Sequence, residues 1–270
     1  MTLPILAIGQ SNLEGRYGPA LTVPAHKRTV RAFDLAARQW SDAKLGRNPF
    51  KTIVRSTIPA HNLVFEFAHR YASICDDDAD IVLLASGGKR IEFFLPGEVL
   101  AENGWRSEQT DPDFGNSLAG EIFAADGAAK QALAAAGHAA FEVLLIHQGE
   151  ANFADPPMDA PEAYALKLRR LIEELERRGL IRPTTPIVLG EINPLYLGAW
   201  LMHRQALANF TDARTRVVRW DAGIECAKAV IGENNSHASG RGLAELGKRY
   251  FEAYVQTCVA AARQSSRASI

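Results

Sequence analysis

Short apolar runs punctuate this chain at residues 3–8, 81–85, 141–146, 186–190 and 215–220. The first carries no charge, and runs of that length, bounded by turn residues, read as buried strands. A further short strand is expected at 30–33, followed by a turn and Trp40. Between the runs lie stretches with helical spacing. Residues 62–73 offer Leu63, Phe65, Phe67 and Tyr71 for packing. Residues 118–137 form an alanine-rich helix, and 161–179 an amphipathic one that stops at Gly179. Helices are also expected over 200–212 and 244–262. Strands alternating with helices predict parallel βαβ units, hence an α/β fold with a central parallel sheet of about five strands and helices on both faces. Residues 16–59 and 97–116 read as irregular, the second with Trp105 as a lid or rim element. No repeat or linker divides the chain, so a single domain is expected over 1–264, with 265–270 small and polar enough to fray.

With 270 residues and 47% hydrophobic content the chain can fill one sizeable core. A formal net charge of −1 supplies no global field for nucleic acid or a membrane surface. The three cysteines, Cys75, Cys226 and Cys258, lack CxxC spacing, which argues against a disulfide framework and a structural zinc site. The histidines show no HxxxH or HExxH pattern, so no metal site is expected, and the absence of GxGxxG and P-loop motifs disfavours nucleotide binding. No run approaches membrane-spanning length, and no basic region or cleavage site precedes the first strand, so a cytoplasmic location is expected. Oligomeric state is not legible.

Polar clusters follow three of the runs: Gly9-Gln10-Ser11-Asn12, Ser86-Gly87-Gly88 and His147-Gln148-Gly149-Glu150. A fourth, Asn234-Asn235-Ser236-His237, precedes the last helix. Carboxyl ends of parallel strands point one way, so these clusters converge on one edge. Acyl transfer needs a nucleophile, a base and donors for a developing oxyanion. Ser11 offers a hydroxyl and His237 a neutral imidazole. The Ser11 backbone N–H, an N–H of Gly87 or Gly88, and the Gln148 amide could donate to the oxyanion. A plain helix N-cap is the alternative for Ser11.

The order GQSN, then GG followed by I-x-x-F-x-P-G, then HQGE, then a late His with glycines after it resembles the SGNH-hydrolase superfamily. It is nearest to the sialate O-acetylesterase and acetylxylan-esterase-like branch, over about Gly9 to Tyr250. The resemblance implies a flavodoxin-like three-layer α/β/α sandwich and a cofactor-free esterase that removes acetyl groups from sugars. It implies Ser11 as nucleophile, His237 as base, and Gln148 with Gly87 or Gly88 as oxyanion donors.

Two positions depart from the family pattern. The aspartate usual three residues before the histidine is Asn234, and the Ser-Asp pair that often follows QGE is Ala151-Asn152. An amide can orient an imidazole without supplying charge; Glu233 and Glu150 are the other candidates to orient His237. Gln10, His61, Lys89, Asn152 and Trp105 are candidate substrate contacts. Each has a plainer reading as a turn, cap, surface or core residue; the same holds for His147 as a packed core histidine. The Lys89-Arg90 pair, in the cleft, would favour an acidic sugar. The expected reaction is hydrolysis of a small acyl ester, an O-acetyl group on a carbohydrate, through an acyl-serine. The alternatives are a weakened carbohydrate-binding pseudo-esterase, which the paired amides favour, and acyl transfer at the same site.

Overall fold

The computed structural model describes residues 1–107, 109–111, 114–226 and 237–268, with side chains described to residue 262. Asn234 and Glu233 therefore lie outside the described residues. The strands are β1 (Thr2–Gly9), β2 (Val30–Asp34), β3 (Gln39–Asp42), β4 (Asp78–Ala85), β5 (Val143–His147), β6 (Ile187–Gly190) and β7 (Thr215–Val218). Among the described residues they form one seven-stranded sheet in the order β3-β2-β4-β1-β5-β6-β7. Only the β2–β3 pair is antiparallel. Taken alone, β1, β4, β5, β6 and β7 have the flavodoxin order 2-1-3-4-5, with its switch point between β1 and β5.

The strand absent from the sequence reading is β3. It carries one large apolar residue, Trp40, and lies at the sheet edge with its other side chains exposed. An edge strand with so little to bury leaves no apolar run.

The helices are α1 (Ser11–Glu14), α2 (Leu63–Cys75), α3 (Gly97–Glu102), α4 (Ala119–Phe123), α5 (Ala128–Ala136), α6 (Glu150–Ala154), α7 (Pro161–Arg177), α8 (Leu197–Leu207) and α9 (Gly240–Ala268). Both sheet faces are buried. Along β1, Leu6 and Ile8 join the core under α5, α7 and α8. Leu3, Ile5 and Ala7 join the core under α2 and α9. Alternate residues point to opposite faces, which explains why the runs are continuous rather than alternating.

The alanine-rich stretch is two helices rather than one. The chain turns between α4 and α5 at Gly127, where an added Cβ would stand 2.4 Å from the Gly120 carbonyl oxygen. Alanine favours helix throughout and so hides the break. Part of the expected 97–116 loop is α3. The last helix continues to Ala268, past the point at which fraying was expected.

Candidate active site

The register sets three strand ends level: Gly9 of β1 pairs with Ala85 of β4 and His147 of β5. The residues just beyond, Ser11, Ser86-Gly87 and Gln148-Gly149-Glu150, therefore meet at one sheet edge, on both sides of the switch point. α1 starts at Ser11, with Gln10 in extended conformation before it. The Ser11 and Gly88 N–H groups have no acceptor among the described residues.

His237 arrives from the far end of the chain. Its Nε2 lies 2.9 Å from Ser11 Oγ. The Tyr17 ring stacks on the imidazole, centroids 3.5 Å apart and planes 16° off parallel. Asn12 ties the next residue down, its Oδ1 accepting from the Ala238 N–H at 3.0 Å. Burial lowers the His237 pKa from 6.5 to about 4, so the ring is neutral near neutral pH and can take a proton.

Asn12 Nδ2 donates to Glu150 Oε1 at 2.8 Å, so one amide joins the histidine loop to the end of β5. Burial raises the Glu150 pKa from 4.5 to about 7, although the Asn12 bond lowers it. His147 lies 3.8 Å from Glu150. Burial brings the His147 pKa to about 3, so the ring is neutral and this approach is not an ion pair. Tyr250 donates its one hydroxyl proton to the Ile146 carbonyl, which makes His147 Nδ1 the donor to Tyr250 Oη. The bare Nε2 then faces Glu150.

Gln148 differs from its expected place. Its amide is turned under the Gly87–Lys89 turn, with Nε2 donating to the Lys89 carbonyl at 3.1 Å and to Asn152 Oδ1 at 2.8 Å. Its Oε1 accepts from Tyr164. Both amide hydrogens are engaged, and Gln148 does not line the cavity beside Ser11. Asn152 is wholly buried, bonded to Ile91, Gln148, Glu92 and Asp159 rather than open to a ligand. Gly149 adopts φ +144°, and a Cβ there would stand 2.6 Å from the His203 ring. The QGE turn therefore requires glycine.

The two glycines of the β4 turn differ. A Cβ on Gly87 would lie 3.5 Å from Ser11 Cβ and 2.9 Å from Glu14 Oε2, whereas Gly88 is left-handed and open. The remaining expected contacts fall elsewhere. Lys89 Nζ donates to the Thr110 carbonyl. Arg90 binds Asp159 and the carbonyls of Ala151, Asp155 and Pro157. The pair is thus no cation of the cleft. His61 is buried between the Leu21 N–H and Glu66. Trp105 packs on the core beneath Lys167. Gln10 does line the cavity, which holds about 320 Å³. So do Glu14, Arg16, Tyr17 and Tyr196, none of which the sequence reading singled out. Glu14 sits three residues after Ser11 on the same turn, a spacing that was available as a signal. Tyr17 and Tyr196 lie in irregular segments that carry no such signal.

Among the described residues no cluster of His, Cys, Asp and Glu could hold a metal ion, and no helix is long and apolar enough to cross a membrane.

Several solved structures share this architecture. A protein from Arabidopsis thaliana superposes with TM-score 0.62 at 19% identity, covering 93% of this chain and 97% of its own. NanS gives 0.64 at 14%, covering 94% and 97%. A carbohydrate acetylesterase from Xanthomonas citri gives 0.60 at 16%, covering 93% of this chain and 55% of its own. No curated protein matches in sequence. Residues 3–256 match the family described as carbohydrate esterase, sialic acid-specific acetylesterase. The chain belongs to that family of carboxylic ester hydrolases.

Proposed function

We propose that the protein hydrolyses small acyl esters, O-acetyl groups on a carbohydrate, through an acyl-Ser11 intermediate. The single observation behind this reading is the 2.9 Å approach of Ser11 Oγ to the neutral His237 Nε2. His237 takes the Ser11 proton as Oγ attacks the ester carbonyl carbon. Charge moves to the carbonyl oxygen, where the Ser11 N–H and the Gly88 N–H, both without an acceptor among the described residues, receive it. The C–O bond to the sugar breaks, and His237 returns the proton to the leaving hydroxyl. Water then repeats the sequence on the acyl-enzyme and frees acetate.

Tyr17 and the Asn12–Ala238 bond hold the imidazole in place. Asn12 also links that loop to Glu150, so Glu150 acts on His237 through Asn12 in this reading. Gln148 works as a positioning residue, fixing the Lys89 carbonyl and with it the turn that carries the glycines. The carbohydrate substrate follows from the family, and the cavity volume suits one sugar ring with its acyl group. The domain organisation we propose is a single unit over 1–264.

Turnover of nitrophenyl acetate tests the reading. Ser11→Ala is expected to lose at least about a thousandfold in kcat. Equal rates in wild type and variant would overturn it.

A further inference from the structure

The turn after β4 carries one of the two backbone donors proposed for the oxyanion, the Gly88 N–H. Gly88 is left-handed, with φ +69°, and the space a Cβ would fill is open. Packing therefore does not orient it, and a glycine backbone is the freest of all. Its direction depends on the hydrogen bonds made by the peptides around it.

Side chains supply those bonds. Before Gly88, the Gly87 N–H faces the Glu14 carboxylate. After it, Gln109 Nε2 donates to the Gly88 carbonyl at 3.1 Å, and Gln109 Oε1 accepts from the Arg90 N–H at 2.6 Å. A planar amide presents donors and an acceptor side by side, so one side chain spans the turn as a neighbouring strand would. From beneath, Gln148 Nε2 donates to the Lys89 carbonyl at 3.1 Å. The two peptides that follow the Gly88 N–H are thus tied, the first by Gln109 and the second by Gln109 and Gln148 together.

Gln109 is itself held against the turn by its neighbours. Lys89 Nζ donates to the Thr110 carbonyl at 2.5 Å, and Ser86 Oγ donates to Asp111 Oδ2 at 2.5 Å. Asp111 and Gly115 exchange backbone hydrogen bonds at 2.7 and 2.8 Å. Residues 109–111 therefore lie along residues 86–90. An oxyanion donor acts only while it points at the developing charge, and a misplacement of about 1 Å can cost about a hundredfold in rate.

We propose that Gln109 is a positioning residue for the oxyanion site: by holding the Gly88 carbonyl and the Arg90 N–H, it aims the Gly88 N–H at the carbonyl oxygen of an ester on Ser11. The proposal rests on the esterase reading and adds to it a residue that does not line the cavity beside Ser11.

The test uses Gln109→Ala and Gln109→Glu. One of the two amide bonds is exposed and the other half-buried, so water can replace the side chain and the fold is expected to stand. Active sites are counted with a serine-directed phosphonate, and kcat/KM for nitrophenyl acetate is expressed per labelled site. Gln109→Ala is expected to lose about tenfold or more. The Ki of a trifluoromethyl ketone should rise by the same factor. Ser11 Oγ adds to the ketone carbon, His237 takes the proton, and the oxygen left as an anion rests on the same donors. Gln109→Glu keeps the acceptor for the Arg90 N–H but sets a second acceptor against the Gly88 carbonyl, so it should lose as much. A merely structural tie would lower the number of labelled sites and leave both constants, per site, within about twofold of wild type, and that result overturns the proposal. Should Gln109→Ala fail to fold, Gln109→Glu decides on the same two constants. Turnover in wild type no faster than in Ser11→Ala would remove the esterase reading and the proposal with it. Ser11-dependent turnover that both Gln109 variants leave intact removes the proposal alone.

Discussion

Two buried polar clusters sit side by side at the carboxyl edge of the sheet. In the first, Lys167 binds Glu92 at 2.5 Å and Asp159 at 2.8 Å, Arg90 binds Asp159 at 3.0 Å, and Asn152 bonds to both acids. Two cations face two anions, and these side chains donate to and accept from one another. In the second, around Ser11, Gln10 Oε1, Glu14 Oε2 and Glu150 Oε2 are buried without a hydrogen bond among the described residues. A closed network of charges specifies a structure; a half-satisfied one is destabilising unless something else completes it. Density of polar residues therefore does not mark the site; the approach of Ser11 Oγ to His237 Nε2 does. Asn152 illustrates the point: it follows the QGE motif, yet it belongs to the closed cluster and braces the turn from behind.

Variants in the two clusters should fail in opposite ways. The largest effect on stability is expected from Lys167→Met, which leaves Glu92 and Asp159 buried with one cation between them. A loss of about 3–5 kcal/mol in denaturant unfolding is expected, and a change under 1 kcal/mol would mean that the closed cluster is not structural.

Glu150→Gln should act with the reverse sign. The Glu150 carboxyl has its pKa raised to about 7 by burial, so its contribution to stability is present below the unfolded value of 4.5 and is lost as pH rises through 7. The variant should therefore gain on wild type between pH 4 and pH 8, by about 3 kcal/mol at most. A gain confined to acid pH would contradict the assignment.

The smallest effect is a shift in a profile. With the His237 pKa at about 4, kcat/KM should hold as pH falls through 6 and drop only as the imidazole protonates near 4. An acid limb near the ordinary value of 6.5 would mean that the ring is better solvated than its stacked position beside Tyr17 implies.

The buried parallel strands were legible because both of their faces are covered, so every residue of β1 from Leu3 to Ile8 had to be apolar or small. The polar clusters after those strands were legible for the same topological reason. Side-chain direction was not. Gln148 occupies the expected place in the chain, but Tyr164 and Asn152 draw its amide away from the cavity. Lys89 and Arg90 read as a cationic pair at the cleft, yet backbone carbonyls and Asp159 from the β5–α7 connection capture Arg90. Tyr17 stacks on an imidazole that lies 220 positions away in the numbering, and no local pattern encodes such a contact. The aspartate missing before His237 was visible at once, whereas the path from Glu150 through Asn12 to Ala238 needed three dimensions.

Serine-directed labelling tests the pairing of Ser11 with His237 most directly. A phosphonate ester should add to a single peptide, with the adduct located on Ser11 by mass spectrometry, and labelling should slow as pH falls through about 4. In His237→Ala the adduct should be lost or form far more slowly. An adduct on another residue, or labelling of Ser11 at an undiminished rate without the imidazole, would contradict the account.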